Sequence, residues 1–495
     1  MKKRENRIYI TLVCATLILG SLVRLINLDS DSLRLDETQS VWQASHSTGF
    51  IKEYMLKNVH LPLHNTLLHY WMTYFGSGEA GVRLLAVIPG ILALPALYFL
   101  AKELIGKRPA LLALLFAAIS PFWVWYSREI RMYTLLTLVT TLSYLFYVKI
   151  MKENKLIHYV LYILVNAVGM YTHYFFFLVL AVQGIFYLLT INKEWEGGVA
   201  YNKKKQLVSM LLSGFVLALI FLPWLLAVIK SYGSGSLAPV LQKPTAFNVI
   251  LSFFEFTFGF QPEMVSSSLI SFWPLVILFG FVFLTKRRTP FSTGFNLVVL
   301  GTVFPVFLVF FVSLVYRPMY LTRYLTTATP LFFVLLAWYL NELVGKTRYI
   351  LTGATVFLFV VALFTQFTSS ANPARENYRD AVSYIEQNTT PRDIVVISPA
   401  YTLYPFQYYY SGNSRVSSLP MWNKKKGGIP ETTLQKVEED AQMLQKGHQR
   451  MFLLITMNLN GSDMVKTYLD THYTKLEKRQ FSKDIWVHVY QAEYF

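Results

Sequence analysis

The stretch IYITLVCATLILGSL (Ile8–Leu22) is followed shortly by LRLDETQSVWQASHS (Leu33–Ser47), which sets Asp36 and Glu37 side by side beyond the end of an apolar run. An apolar run of span length fits a membrane helix, a secretion signal or a buried core helix. The rest of the chain decides, because runs of the same kind recur as far as residue 367. The first run is followed by more spans and lacks a small-residue cleavage site, so it reads as a retained helix.

Composition agrees. The 495 residues are 54% hydrophobic and 16% aromatic, and only 15% are charged, against about 25% in an ordinary soluble protein. The expected fold is therefore mainly α, a polytopic transmembrane helix bundle. The net charge of +17 sits in short blocks between spans, which argues against nucleic acid as a partner. The lone cysteine, Cys14, lies inside the first run and leaves no disulfide or cysteine-based metal site.

Eleven spans are expected, near 8–27, 81–101, 109–126, 131–149, 157–172, 174–191, 207–229, 267–285, 291–315, 325–344 and 349–367. With that count the basic blocks Lys2-Lys3-Arg4, Lys107-Arg108, Lys149/Lys152/Lys155, Lys203-Lys204-Lys205, Lys286-Arg287-Arg288 and Lys346/Arg348 all fall on one side. The positive-inside rule makes that side cytoplasmic, with the amino terminus on it. The other face holds a first loop (28–80), with amphipathic helices expected at 37–57 and 62–75. It also holds a 230–266 loop, in which "SYGSGS" and the aromatic run "FFEFTFGF" suit a segment moving against lipid. After Ser370 the pattern changes. "NYRDAVSYIEQNTTPRDIVVISP", "MFLLITM" and "IWVHVYQ" read as helix, turn and buried strands, with a polar helix at 431–446. This divides the chain into a membrane domain (1–370) and a small extracytoplasmic α/β domain (371–495).

Burying Asp, Arg or Lys at mid-bilayer costs about 2.5–3.5 kcal/mol each, so "YSREIRMY", with Arg128, Glu129 and Arg131, belongs at the outer interface. "VHLPLHNTLLHYW" adds His60, His64 and His69, and "YRPMYLTRYL" adds Arg317 and Arg323. Each has a plain structural alternative. Arg128 and Arg131 could snorkel to headgroups, with Tyr126 and Tyr133 as interface aromatics. Asp36-Glu37 could cap a helix starting near Thr38, and Arg317 could be simple loop. Together, however, proton-accepting acids beside phosphate-holding cations suit a transfer with a phosphate leaving group.

The order "LDE" after the first span, "H-x-P-L" leading into an amphipathic helix, and "YSREIRMY" before the fourth span resembles the GT-C polytopic glycosyltransferases. The nearest branch is that of the protein O-mannosyltransferases and the lipid A aminoarabinose transferases. "RENYRDAVSYI…PRDIVVISP…PFQYYY" resembles the extracytoplasmic tail of bacterial members. Where members often show "D-x-H-P-P-L-Y", this chain has Asn58, His60, Leu61, Pro62, Leu63 and His64. The resemblance implies an inverting transfer of a hexose or pentose from a polyprenyl-phosphate-linked sugar to a lipid, polysaccharide or protein acceptor at the cell membrane. It implies Asp36 as general base. Arg128, Arg131 and Arg323 would hold the donor phosphate with help from His60, His64 and Tyr133, while Glu37 and Glu129 orient their neighbours. This branch generally needs no metal at the chemical step, although three available acids leave a divalent ion open. The rival readings are a lipid or sugar transporter, or flippase, and an inactive scaffold for surface-polymer assembly.

Overall fold

The computed structural model describes residues 2–58, 60–191, 193, 195, 198, 202–231, 241–263, 265–266, 292–369, 375–425, 428–457 and 461–492. The membrane part comprises α1 (Lys2–Leu25), then the first-loop helices α2 (Leu35–Ala44), α3 (Thr48–Lys57) and α4 (Leu63–Phe75). It continues with α5 (Glu79–Ile105), α6 (Lys107–Ile119), α7 (Pro121–Ser127), α8 (Tyr133–Glu153), α9 (Leu156–Thr172) and α10 (Phe177–Thr190). The remaining members are α11 (Lys203–Ser231), α12 (Ala246–Phe258), α13 (Thr293–Val315), a 3₁₀ segment (Thr322–Ala328), α14 (Thr329–Glu342) and α15 (Gly345–Thr368). Among the described residues seven helices are long and apolar enough to cross a membrane, or eight if the bent pair α6–α7 counts as one. Of the eleven expected segments, ten fall on helices, two of which (α9 and α10) are short, and 267–285 lies outside the described residues. Leucine, isoleucine and phenylalanine side chains remain exposed along α1, α11 and α15. On helices of this length such faces are lipid-covered.

Two sequence features shape the interior. A Cβ on Gly20 would lie 2.6 Å from Leu94, so glycine lets α1 approach α5 closely. One turn later Arg24 is fully buried, donating to the carbonyls of Gly20, Ala117 and Ala118 and to Ser127 Oγ at 2.8–3.1 Å. It caps the C-terminal carbonyls of α6 where the chain bends 55° into α7. Ser120 and Pro121 start the new helix, Ser120 Oγ accepting from Trp123 N at 3.1 Å. The bend carries residues 128–131 to the end of the bundle that bears the first loop.

Two loop expectations change. The helix expected over 37–57 is two helices, because Ser47 restarts the chain by capping Phe50 N at 3.3 Å. The aromatic run is also no loose segment. It forms the end of α12, with Phe254, Phe256 and Phe258 buried against α7, α14 and α15. Burial of three large rings outweighs the mobility suggested by the neighbouring glycines and serines.

The C-terminal unit has α16 (Tyr378–Asn388), β1 (Ile394–Ser398), α17 (Leu403–Tyr409), β2 (Arg415–Ser418), α18 (Leu434–Gln445), β3 (Arg450–Thr456), α19 (Ser462–His472), β4 (Lys475–Gln480) and β5 (Ile485–Gln491). The sheet order is β2-β1-β3-β5-β4, parallel through β2-β1-β3 and antiparallel at β3-β5-β4. The buried strands β1, β3 and β5 are the ones expected from sequence. The edges β2 and β4 escape because their residues are mostly polar and, in β4, all exposed. This unit rests on the first loop. Arg379 pairs with Glu79, Tyr408 donates to Ser77 O at 2.7 Å, and the Tyr54 and Tyr404 hydroxyls are 3.2 Å apart.

Candidate active site

The adjacent acids serve different structures. Arg34 is the N-cap of α2, and Glu37, in the helix's first turn, accepts its backbone N–H at 2.9 Å in a capping box. The same carboxylate, 1% exposed, takes two bonds from Arg83 (3.1 and 3.2 Å) and one from Ile130 N (3.2 Å). Glu37 therefore ties the first loop to α5 and to the turn after α7. Asp36 points elsewhere, its Oδ2 2.9 Å from Arg323 Nη1.

Around Asp36 stand Arg131, Arg323, His60 and Tyr133, and His64 and His173 stand near Arg131; of these only His173 was not singled out from sequence. Arg131 donates to Ser40 Oγ at 3.1 Å, from the next turn of α2. Burial works against ionising Asp36, but the guanidiniums of Arg323, Arg131 and Arg34 outweigh it and hold the carboxyl well below the usual carboxylate range. The imidazoles respond oppositely. Surrounding protein and the Arg131 charge push His60 down to about 4 and His64 down to about 3, so both are neutral at physiological pH. Each then offers one N–H rather than a positive charge. Arg131 Nε, Arg323 Nε, the Tyr133 hydroxyl and His64 Nε2 are buried without a hydrogen-bond partner among the described residues. Buried donors are rarely left so, and several around one carboxylate make a cradle for an anion.

The structure does not bring Arg128 into this cluster. Its guanidinium lies over the Phe367 ring, 4.7 Å from the centroid, and donates to Asn27 O. It lines a small cleft of about 30 Å³ with Asp31, Arg34, Trp125, Glu129, Arg375 and Glu376. Two salt bridges at 3.4 Å, Arg34–Glu129 and Arg34–Glu376, stand at this cleft. Burial raises the Glu129 carboxyl despite the opposing Arg34 charge. Glu376, after the last span, also accepts Leu35 N at 2.8 Å and so holds the start of α2. Arg34 and Glu376 were not singled out from sequence; the only signal was Arg34's place next to the LDE motif. Arg317 is exposed loop.

A third group borders Arg323. Ser252 Oγ lies 2.9 Å from the Tyr320 hydroxyl and 3.1 Å from Thr322 Oγ1. Surrounding protein pushes Glu255 up to about 7, with the nearby Thr322 hydroxyl opposing the shift. Among the described residues no three His, Cys, Asp or Glu side chains form a group that could hold a metal ion.

Comparison with known proteins bears on the fold. Residues 59–226 match the family model of dolichyl-phosphate-mannose-protein mannosyltransferases. Comparison with curated proteins finds no match. The chain is similar to the crystal structure of ArnT from Cupriavidus metallidurans in the apo state, with a TM-score of 0.61, 14% identity and 98% of each chain covered. Against the same protein bound to undecaprenyl phosphate the TM-score is 0.59, at 14% identity over 97% of this chain and 98% of that one. The oligosaccharyltransferase AglB of Archaeoglobus fulgidus, in complex with an inhibitory peptide and a dolichol-phosphate, gives 0.52 at 12% identity over 99% of this chain and 74% of that one. The chain is thus a multi-pass membrane protein with the GT-C fold, resembling the ArnT and protein mannosyltransferase branch.

Proposed function

We propose that this protein is an inverting glycosyltransferase that moves a sugar from a polyprenyl-phosphate donor to a lipid, glycan or protein acceptor at the outer membrane face. One observation carries the reading: Asp36 is paired with Arg323 beside Arg131, and both guanidiniums keep a buried nitrogen unpartnered. The family model's donor chemistry and the polyprenyl phosphates bound by the similar structures support it.

In the reaction the acceptor oxygen attacks the anomeric carbon and its proton passes to Asp36. The bond from that carbon to the phosphate oxygen breaks, and the electron pair leaves with the polyprenyl phosphate. Arg131 and Arg323 neutralise the charge that grows there, as donors placed where charge develops do. An Asp36 held far below its ordinary range is ionised but weakly basic. A phosphate that draws Arg323 and Arg131 to itself weakens the field on Asp36 and makes it a better base. Proton acceptance is thereby coupled to donor occupancy.

The basic blocks put the amino terminus in the cytoplasm. Residues 1–370 then form the transfer domain, and 371–495 form an extracytoplasmic domain over the first loop. The ionisable groups gather between the outer connections rather than along a path through the spans, which speaks against a transporter.

The test is binding of undecaprenyl phosphate by the purified protein. Arg131→Ala and Arg323→Ala should each weaken it about 10- to 100-fold, the worth of one or two charge-assisted hydrogen bonds. Unchanged binding in both variants would remove the donor site from this cluster.

A further inference from the structure

Next to the proposed phosphate site lies polar machinery that the transfer step itself does not use. Ser252 and Glu255 are three positions apart on α12 and share a face. That face meets the 3₁₀ segment carrying Thr322 and Arg323. Ser252 is fully buried, bridging the Tyr320 and Thr322 hydroxyls, and Glu255 stands near enough to Thr322 and Tyr320 to interact with both. Thr327, at the other end of the segment, is also fully buried, with its hydroxyl unpartnered among the described residues. Glu255 makes no ion pair among the described residues, unlike Asp36, Glu37, Glu129 and Glu376, each held by an arginine. Its neighbours are otherwise aromatic: Phe254 and Phe256 flank it in the chain, and Tyr126 is near enough to feel its charge. Glu255 is half-buried, and for packing alone an apolar side chain would serve better here, since even partial burial of a carboxyl away from a cation is costly.

We propose that Ser252, Glu255, Tyr320 and Thr322 form the subsite that reads the hydroxyls of the donor's sugar, with Glu255 accepting from two neighbouring hydroxyls. This rests on the proposed donor. The sugar is attached to the phosphate, so once Arg323 holds the phosphate the ring must lie within about one residue's reach. Thr322 directly precedes Arg323 in the 3₁₀ segment, and Ser252 joins it to Tyr320, so this polar group borders the arginine. A carboxyl has two oxygens able to accept hydroxyl donors, and the three hydroxyl side chains can both donate and accept. The surrounding phenylalanine and tyrosine rings offer faces for the apolar side of a sugar ring. A site built this way discriminates sharply, because an analogue lacking the hydroxyl strands a buried polar group.

The experiment compares four probes on the full-length protein in detergent: undecaprenyl phosphate, and its glucosyl, mannosyl and arabinosyl forms. The parent should bind at least one sugar form about tenfold or more tighter than the bare carrier. Glu255→Gln and Tyr320→Phe should erase that preference while bare-carrier binding stays within about twofold. Arg323→Ala should weaken all four probes alike. Melting temperatures identify any variant that fails to fold, and the two conservative substitutions back each other. A preference retained in Glu255→Gln and Tyr320→Phe, or a parent with no preference, overturns the subsite. A parent that does not bind even the bare carrier overturns the proposed donor, and this subsite with it.

Discussion

Arg323 Nη1 and Asp36 Oδ2 stand 2.9 Å apart, although 287 residues separate them in the chain. The pair joins the first outer loop to the connection before α14. If Asp36 is the base, Asp36→Asn keeps the side chain's size but cannot accept the proton. Sugar transfer should then fall by about 10²–10⁴-fold, the usual worth of a general base, while undecaprenyl phosphate still binds. An asparagine oxygen can still accept from Arg323 Nη1, so a purely structural Asp36 would leave the rate nearly unchanged. Turnover at the parental rate in a folded Asp36→Asn protein would end the assignment.

Glu37 should behave differently from its neighbour. Its carboxylate is buried against Arg83, and removing one partner of such a pair strands the other, at a cost of about 3–5 kcal/mol. Glu37→Gln and Arg83→Met should therefore lower the melting temperature clearly, whereas Asp36→Asn should lower it little. The double variant should recover part of the loss, since replacing both members of a buried pair is often tolerated. Equal, small shifts for all three single variants would contradict the division of labour between the two acids.

In the C-terminal unit, Asp393 is fully buried, with Arg450 at 2.8 and 3.1 Å and Thr390 N at 2.8 Å. Burial opposes its ionisation, but the bonds from Arg450 and Thr390 prevail and hold the carboxyl below its ordinary range. A depressed carboxyl adds stability that is present above the unfolded value, about 3.9, and is lost as pH falls through the folded one. Asp393→Asn should destabilise by about 1–3 kcal/mol near pH 7. The gap between variant and parent should close as the pH drops below about 4. Melting curves from pH 3 to 8 check this, and a gap independent of pH would exclude the linkage.

How much of this was legible beforehand follows from which residues carry a local signal. Span-length apolar runs and the buried strands β1, β3 and β5 are written in hydropathy alone. So was the gathering of Asp36, Arg131 and Arg323, because charges at span ends have few places to go. The capping by Glu37 was legible only as one option for two adjacent acids, since its partner Arg83 lies 46 positions away. Arg24 falls within the first expected span, and nothing local says that it caps another helix's carbonyls. The split between Arg128 and Arg131 depends on the turn after α7, whose geometry is set by tertiary contacts. Glu255 was hidden inside an aromatic run whose burial no periodicity announces.

The orientation of the chain can be tested directly. With Cys14→Ser as background, a cysteine at exposed Gln387 on α16 should react with an impermeant thiol reagent in intact cells, and one at exposed Lys204 should not. Helix positions are preferable to Gly461, whose φ of +74° and nearby Thr432 would strain a cysteine. In a double-membrane host the outer membrane is first made permeable. Labelling at 204 without lysis would reverse the proposed sides.

Arg128 and Arg131 are three residues apart but open onto different spaces, and variants should separate them. Arg131 stands with Asp36 and Arg323, whereas Arg128 lines the cleft with Trp125, Arg375 and Glu376. If the donor phosphate occupies the first space, Arg131→Ala should weaken undecaprenyl phosphate binding about tenfold or more, and Arg131→Lys should recover only part. Lysine keeps the charge but loses the planar two-pronged contact. Arg128→Ala should leave carrier binding intact. Its cost should appear in stability rather than in carrier binding, because its guanidinium packs on Phe367 and donates to Asn27 O. A headgroup-snorkelling role for both arginines predicts instead that lysine replaces each without loss. Carrier binding that falls equally in Arg128→Ala and Arg131→Ala would mean that the two spaces act as one site.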